Sequence, residues 1–170
     1  MLDVLSKMAV EEKEVLDVGT GSGILALYCA MRGAHATATD IDEKTLHHAS
    51  QAAQDLQVSL HVALSDIFSN VIGHFDLIIF NPPYLPSATT KDWTVDGGKQ
   101  GEVVAEKFLE GLADHLRKDG SALLLLSNAS DLESLAKLRS TFEFSIVASR
   151  RLFFEELRVL QLRFRGDAAR

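Results

Sequence analysis

Three glycines in five residues, Gly19-Thr20-Gly21-Ser22-Gly23, stand between the short run Val15-Leu16-Asp17-Val18 and a helical pattern from Ile24 to Arg32. Glycine takes left-handed backbone angles at little cost, so the chain turns sharply here and a ligand can approach the backbone closely. The first N–H groups of the following helix have no partner inside it and suit a carboxylate or phosphate. A strand, a glycine-rich turn and a helix stopped by Gly33 make the first half of a nucleotide-binding βαβ unit. Ala36-Thr37-Ala38-Thr39 reads as the second strand and ends at Asp40, twenty-one residues after Gly19. An acidic residue at that spacing accepts from both ribose hydroxyls. Its competing role is N-cap of the next helix, a task Asp42 or Thr45 would also fill.

The second informative stretch is Asn81-Pro82-Pro83-Tyr84, directly after Phe75-Asp76-Leu77-Ile78-Ile79-Phe80. The run before it is apolar, β-rich and too short for a helix, which predicts a buried parallel strand. Its polar sequel therefore falls at the carboxyl end of a strand, where open α/β sheets bind ligands. Pro82 pushes Asn81 out of the helical region, and two successive prolines remove two N–H donors. The turn presents a side-chain amide and bare carbonyls, acceptors suited to an amide or an exocyclic amine, with Tyr84 as a flat face. Its plainer reading is an ordinary proline turn.

The remaining chain alternates in the same way. Met1 to about Glu12 reads as a short amphipathic helix, with Leu2, Leu5, Met8 and Ala9 on one stripe. Asp42 to Leu56 is a second helix, on which the adjacent His47 and His48 face different ways and make poor joint metal ligands. Val58 to Leu64 alternates with a period of two, a half-exposed strand ending at Ser65-Asp66-Ile67-Phe68. Leu85 to Gln100 is a long polar loop, and loops of that length in compact domains are usually functional or disordered. Trp93 fits a substrate lid and a simple anchor to the core equally well. Glu102 to Arg117 is an amphipathic helix, Lys118-Asp119-Gly120 a turn, and Ala122 to Leu126 a buried strand. Ser130 or Asp131 opens a helix to about Ser140. Phe144 to Arg151 and Leu157 to Phe164 form a closing antiparallel pair around Phe153-Phe154-Glu155-Glu156. Residues 166–170 are expected to fray.

Composition narrows the function classes. The 170 residues suit a single domain, 1–170, with a real core. A formal net charge of −7 argues against unaided binding to a nucleic-acid backbone. Cys29 is the only cysteine, so there is no disulfide framework and no cysteine-based zinc site; it falls within an apolar helical pattern as a small buried hydrophobe. No apolar run approaches a membrane span and no signal peptide precedes the fold, which makes a cytoplasmic location the expectation.

Strand and helix alternation closed by an antiparallel hairpin resembles the class I S-adenosylmethionine-dependent methyltransferases. The resemblance becomes specific at Asp17-Val18-Gly19-Thr20-Gly21-Ser22-Gly23, Asp40, Asp66 and Asn81-Pro82-Pro83-Tyr84 taken together, and it covers nearly the whole chain. It implies an α/β fold: a Rossmann-like seven-stranded sheet, mostly parallel with a C-terminal antiparallel hairpin, helices on both faces. Within that superfamily the chain is most similar to the HemK-like glutamine methyltransferases of the compact archaeal and eukaryotic branch. The segments Asp96-Gly97-Gly98-Lys99-Gln100-Gly101 and Ser149-Arg150-Arg151 to Phe164 also resemble that branch. Members of the family methylate the glutamine side chain of a Gly-Gly-Gln tripeptide in translation termination factors.

The resemblance assigns S-adenosylmethionine to Asp17, Gly19, Thr20, Gly21, Ser22, Gly23, Asp40, Ile41, Asp66, Ile67 and Asn81. Asp66 and Ile67 would border the adenine; Asp66 also fits the cap of a short helix. Catalysis falls to Asn81, Pro82, Pro83 and Tyr84, with no metal. Two departures stand out. Family members carry an acidic segment upstream of the first helix, and this sequence begins at Met1-Leu2-Asp3, so either the start is truncated or the pocket is more open. The amino-terminal helical domain of the bacterial relatives is missing, so substrate docking must differ. In the compact branch a small zinc-binding activator covers an apolar surface, and Val58–Leu64, expected at the sheet edge with only His61 to blunt it, is the candidate contact. Two rivals remain: an adenine-N6 methyltransferase, whose substrate presents the same donors to Asn81 and Pro82, and a non-catalytic nucleotide-binding module. The Gly19-Gly21-Gly23 spacing fits the usual dinucleotide pattern poorly, because that pattern has two residues before its last glycine.

Overall fold

Strands buried on both faces need apolar side chains on both, and the uninterrupted runs of this chain pair side by side in the middle of one sheet. The computed structural model describes residues 1–82, 99–127, 140–152 and 156–166. Pro83, Tyr84, Trp93, Asp96-Gly97-Gly98, the helix expected from Ser130 or Asp131, the Phe153-Phe154-Glu155 connection and the tail after Gly166 lie outside those residues. The strands are β1 (Glu14–Val18), β2 (His35–Asp40), β3 (Leu60–Leu64), β4 (Phe75–Phe80), β5 (Leu116–Ser127), β6 (Phe142–Arg151) and β7 (Glu156–Phe164). They form a seven-stranded sheet in the order β3-β2-β1-β4-β5-β7-β6. β1 to β5 are parallel, and β7 runs antiparallel to both β5 and β6. The order reverses between β1 and β4, which makes the crevice at their carboxyl ends the ligand position of such sheets.

Helices α1 (Leu2–Leu5), α2 (Ile24–Ala30), α3 (Glu43–Asp55) and α4 (Lys99–His115) flank this sheet. Alternation along the strands sorts the core into two layers. Leu16, Val18, Ile78, Phe80, Ala122 and Leu124 face Phe108, Leu109 and Leu112 of α4. Val15, Leu77, Ile79 and Leu123 face the opposite way, toward Leu5 of α1 and Leu25 and Cys29 of α2. Helices thus cover both faces. α3 packs beside α2, along β2 and β3. Among the described residues no helix is long and apolar enough to cross a membrane.

α2 ends at Ala30 rather than Arg32, α4 starts at Lys99 inside the stretch expected as loop, and β6 starts at Phe142. Three other boundaries move through a tertiary contact. The helix expected over Met1–Glu12 is confined to α1, because the Arg32 guanidinium at the end of α2 takes the carbonyls of Leu5 and Met8. Val58 closes α3 through its N–H to Ala53 O at 3.0 Å, so β3 starts only at Leu60. It still lies at the sheet edge. The helix expected to reach Arg117 stops at His115, and the turn expected at Lys118-Asp119-Gly120 is an irregularity inside β5. Leu116 pairs with Phe75, and Arg117 meets Asp76 at 2.7 Å, which draws both residues onto β4. Helical periodicity alone placed Leu116 on the apolar stripe of the preceding helix. Pairing with β4 outweighs it.

A ladder of rings binds α4 to the sheet end that matters most. Phe80 stacks on Phe108 at 4.6 Å, Phe108 on Phe68 at 5.4 Å, and Phe68 on His115 at 4.7 Å between centroids. Gly111 lets α4 come this close, since a Cβ there would stand 2.7 Å from Phe68 Cδ2. Alanine normally stabilises a helix interior over glycine by about 1 kcal/mol. Here the half-buried Phe68 is stacked on both Phe108 and His115, so moving it disturbs both contacts and overpacking costs about 1–3 kcal/mol. The clash outweighs the propensity. Gly111→Ala is expected to lower the urea midpoint; an unchanged or raised midpoint would show that the ladder is soft.

Candidate active site

Gly19 and Asn81 follow the last residues of β1 and β4, and Asp40 is the last residue of β2, on adjacent strands in which Val18 pairs with both Thr39 and Phe80. The glycine turn folds over the ends of β1 and β2. Thr20 N–H donates to Thr39 O at 2.8 Å, and Gly21 N–H donates to Asp40 Oδ2 at 2.9 Å. Gly19, Gly21 and Gly23 all take positive φ, at 58°, 53° and 77°. At Gly23 a Cβ would also stand 2.8 Å from Ala49 Cβ, so the last glycine is what lets α2 and α3 touch. Gly21 and Ser22 remain exposed. The cap of α3 is Asp42, whose side chain accepts from Lys44 N–H. Asp40 is therefore released from that task. Its Oδ1 accepts from Asp42 N–H at 3.0 Å, and each oxygen keeps a second lone pair for a ligand. Ile41 beside it is 73% exposed, an apolar surface next to the acid.

Of the expected ligand residues, Thr20 and Gly23 are buried within the turn, and Asp17 is buried as well. Only 1% of it is exposed, beneath the turn and against α2. Its Oδ2 accepts from Thr20 Oγ1 at 2.6 Å and from Ala26 N–H at 3.2 Å. Oδ1 is buried with no partner among the described residues. Burial pushes this carboxyl up to about 7, against the pull of the Thr20 and Ala26 donors, and the nearby Asp40 charge adds to the rise. Cys29 lies on the same helix, buried, its thiol pushed up to about 12 by burial, which leaves it inert.

The end of β3 carries a third constellation. Ser65, buried, donates from Oγ to Ile67 O at 2.9 Å and accepts from Asn70 N–H at 3.1 Å. Asn70 Nδ2 donates to Leu64 O at 2.8 Å. This network holds Ile67 at φ 54°, a left-handed angle that costs a β-branched residue about 1–3 kcal/mol. Asp66 is exposed and caps no helix. Its Oδ2 instead meets Lys107 Nζ of α4 at 3.2 Å. Sequence reading missed Ser65 and Lys107. Ser65 at a strand end ahead of Ser69-Asn70 was a visible turn signal, whereas nothing local marks Lys107.

Asn81 is exposed and Pro82 buried at the end of β4, next to the glycine turn; a Cβ on Gly19 would meet the Phe80 ring at 3.4 Å. Pro83 and Tyr84 lie outside the described residues. His47 and His48 are exposed on α3, and among the described residues no group of three or more His, Cys, Asp or Glu could hold a metal ion. The donor set suits S-adenosylmethionine: exposed glycine backbone, acceptors on Asp40 and Asp66, and the partnerless Asp17 Oδ1 beneath the turn.

The raised Asp17 value has a stability consequence of definite sign. Between about pH 4 and 7 the folded protein keeps the proton that the unfolded chain has released, so stability falls as pH rises through that window. Asp17→Asn keeps an acceptor for Thr20 and Ala26 but cannot titrate. Its thermal midpoint is expected to lose this part of the slope between about pH 4 and 7. Parallel melting curves for the two proteins would refute the buried-acid assignment.

The relatives agree with this geometry. The chain matches the family described as Methyltransferase small domain over residues 1–155. A Methanocaldococcus jannaschii protein named for protein N5-glutamine methyl transfer is 34% identical over 160 residues, covering 89% of this chain and 81% of its own. The release factor glutamine methyltransferase of Deinococcus radiodurans is 33% identical over 77% of this chain, which spans about half (51%) of that relative's length. Ribosomal-RNA and transfer-RNA methyltransferases, 33% and 30% identical over shorter or comparable stretches, are also among the relatives. The fold matches that of the E. cuniculi Mtq2-Trm112 complex, described as acting on the eRF1 translation termination factor, with TM-score 0.76, 23% identity and coverage of 96% and 92%. A glycine-lined crevice at the β1–β4 switch point, acids at the ends of β2 and β3, and a family match over nine-tenths of the sequence agree: this chain belongs to the methyltransferase small-domain family and is an S-adenosylmethionine-dependent methyltransferase.

Proposed function

We propose that the chain methylates the side-chain nitrogen of a glutamine, in a Gly-Gly-Gln segment of a translation termination factor. The observation that carries this reading is the exposed Asn81 followed by a buried proline at the end of β4, beside the cofactor cradle. An amide NH2 has two hydrogens to give. The Asn81 side-chain oxygen and the Pro82 carbonyl accept one each, which fixes the nitrogen against the glycine turn. The adenine end of the cofactor is read by Asp66 and Ile67, the ribose by Asp40 with Ile41 alongside, and the amino-acid end by the turn Gly19–Gly23 above Asp17. When bound, S-adenosylmethionine supplies a methyl group on a positively charged sulfur. An amide nitrogen is a poor nucleophile, so orientation and acceptor placement carry most of the rate. The expected roles of Pro83 in stiffening the turn and Tyr84 in packing on the amide plane complete the site.

The names of the relatives and the net charge of −7 support a protein substrate over a nucleic acid. The same reading places the protein in the cytoplasm and gives it a small activator partner at β3. That edge strand is five residues long, without proline, and ends at the half-exposed Leu64, so its free backbone groups can pair with another chain.

Asn81→Ala is expected to leave the melting temperature unchanged, because Asn81 is exposed, and to slow methyl transfer by on the order of 10²-fold. Incorporation of labelled methyl into a release factor, its Gly-Gly-Ala variant and an adenine-containing oligonucleotide, with and without a zinc-binding activator, reads the outcome. Label confined to the intact release factor and lost with Asn81 is the expected result. Label on the oligonucleotide would move the protein to the adenine class, and full turnover by Asn81→Ala would refute the site.

A further inference from the structure

We propose that Lys107 is a positioning residue for cofactor recognition, holding Asp66 so that it selects a purine with an exocyclic amino group. The inference rests on the reading of Asp66 as an adenine-facing acceptor. Lys107 Nζ lies 3.2 Å from Asp66 Oδ2, and both side chains are about half exposed, at 55% and 52%. An aspartate in water at the end of a strand turns freely and has no preferred direction for its lone pairs. With Oδ2 bound to Lys107, the carboxylate plane is set and Oδ1 is left to accept from the ligand.

The support beneath Lys107 is what separates this pair from an ordinary surface contact. Its neighbour Phe108 is fully buried, stacked between Phe80 at the end of β4 and Phe68 two residues beyond Asp66. Gly111, one turn on, closes against the same Phe68 ring. The backbone on the other side is equally constrained: Asp66 N–H donates to Ser69 Oγ at 3.1 Å, and Ile67 is held at positive φ. Both ends of the pair are therefore mounted on fixed backbone frames, so keeping it costs only the side-chain freedom of Lys107 and Asp66. α4 begins at Lys99, just after the stretch that follows Asn81-Pro82. The contact thus ties the adenine end of the cofactor site to the helix leading away from the catalytic turn.

The test is calorimetric binding of S-adenosylhomocysteine and of its inosine analogue, in which a carbonyl oxygen replaces the 6-amino group. Wild type, Lys107→Met, Lys107→Arg and Asp66→Ala are compared as full chains, with melting temperatures measured alongside. The expected result is a preference for the adenine ligand in wild type that shrinks about 3- to 10-fold in Lys107→Met. The loss should come from weaker adenine binding, with inosine binding unchanged and the preference retained in Lys107→Arg. Loss of both affinities together in Lys107→Met would mean a general electrostatic or folding effect and overturn the proposal. A preference abolished by Asp66→Ala but untouched by Lys107→Met would leave the Asp66 reading standing and sink Lys107's role. A preference that survives Asp66→Ala, which has no side-chain acceptor, would remove the premise, and the proposal with it.

Discussion

Asp17 is a carboxylate held out of water at the point where β1, the glycine turn and α2 meet. Leaving water is costly for this group, and two donors, Thr20 Oγ1 and Ala26 N–H, offset part of the cost through a single oxygen. That oxygen fastens the turn to the first part of the helix, so the exposed Gly21 and Ser22 ride on a clamped base. The second oxygen has no partner among the described residues. An apolar residue of similar size would spare the desolvation, and the proposed role of Asp17 beneath the cofactor's amino-acid end accounts for the carboxylate being kept. The same burial raises the carboxyl toward neutrality, which links the geometry of the glycine turn to the protonation of one side chain.

A second constraint runs across the opposite face of the sheet. Phe80 ends the strand that carries Asn81, and its ring begins the stack that passes through Phe108 to Phe68. One apolar column thus braces the Asn81 turn and the Asp66 loop against the same helix. The strained backbone at Ile67 persists because the Ser65 hydrogen bonds and this column over-determine it. Cradle and turn are supported from different faces of the sheet, Asp17 from the α2 side and Asn81 from the α4 side. Substitution in one support should leave the other standing.

The sequence by itself determined the architecture and the positions of the glycine turn, Asp40, Asp66 and Asn81. These are local matters: apolar runs too short for helices, glycines where φ must be positive, prolines that forbid alternatives, and a spacing that brings acids to strand ends. β4 is legible residue for residue in Phe75–Phe80 because no other element competes for it. Tertiary structure alone decided what depended on distant partners. Arg32 donates to Leu5 O at the end of α1 and to Met8 O beyond it, Asp76 and Phe75 convert the end of a helical pattern into β5, and α3 captures Val58 from β3. The same reason separates Asp17 from the exposed ligand residues and hides Lys107 from any sequence reading. Whether a carboxylate is buried, or which lysine meets it, depends on packing between elements 41 residues apart and on no pattern within either one.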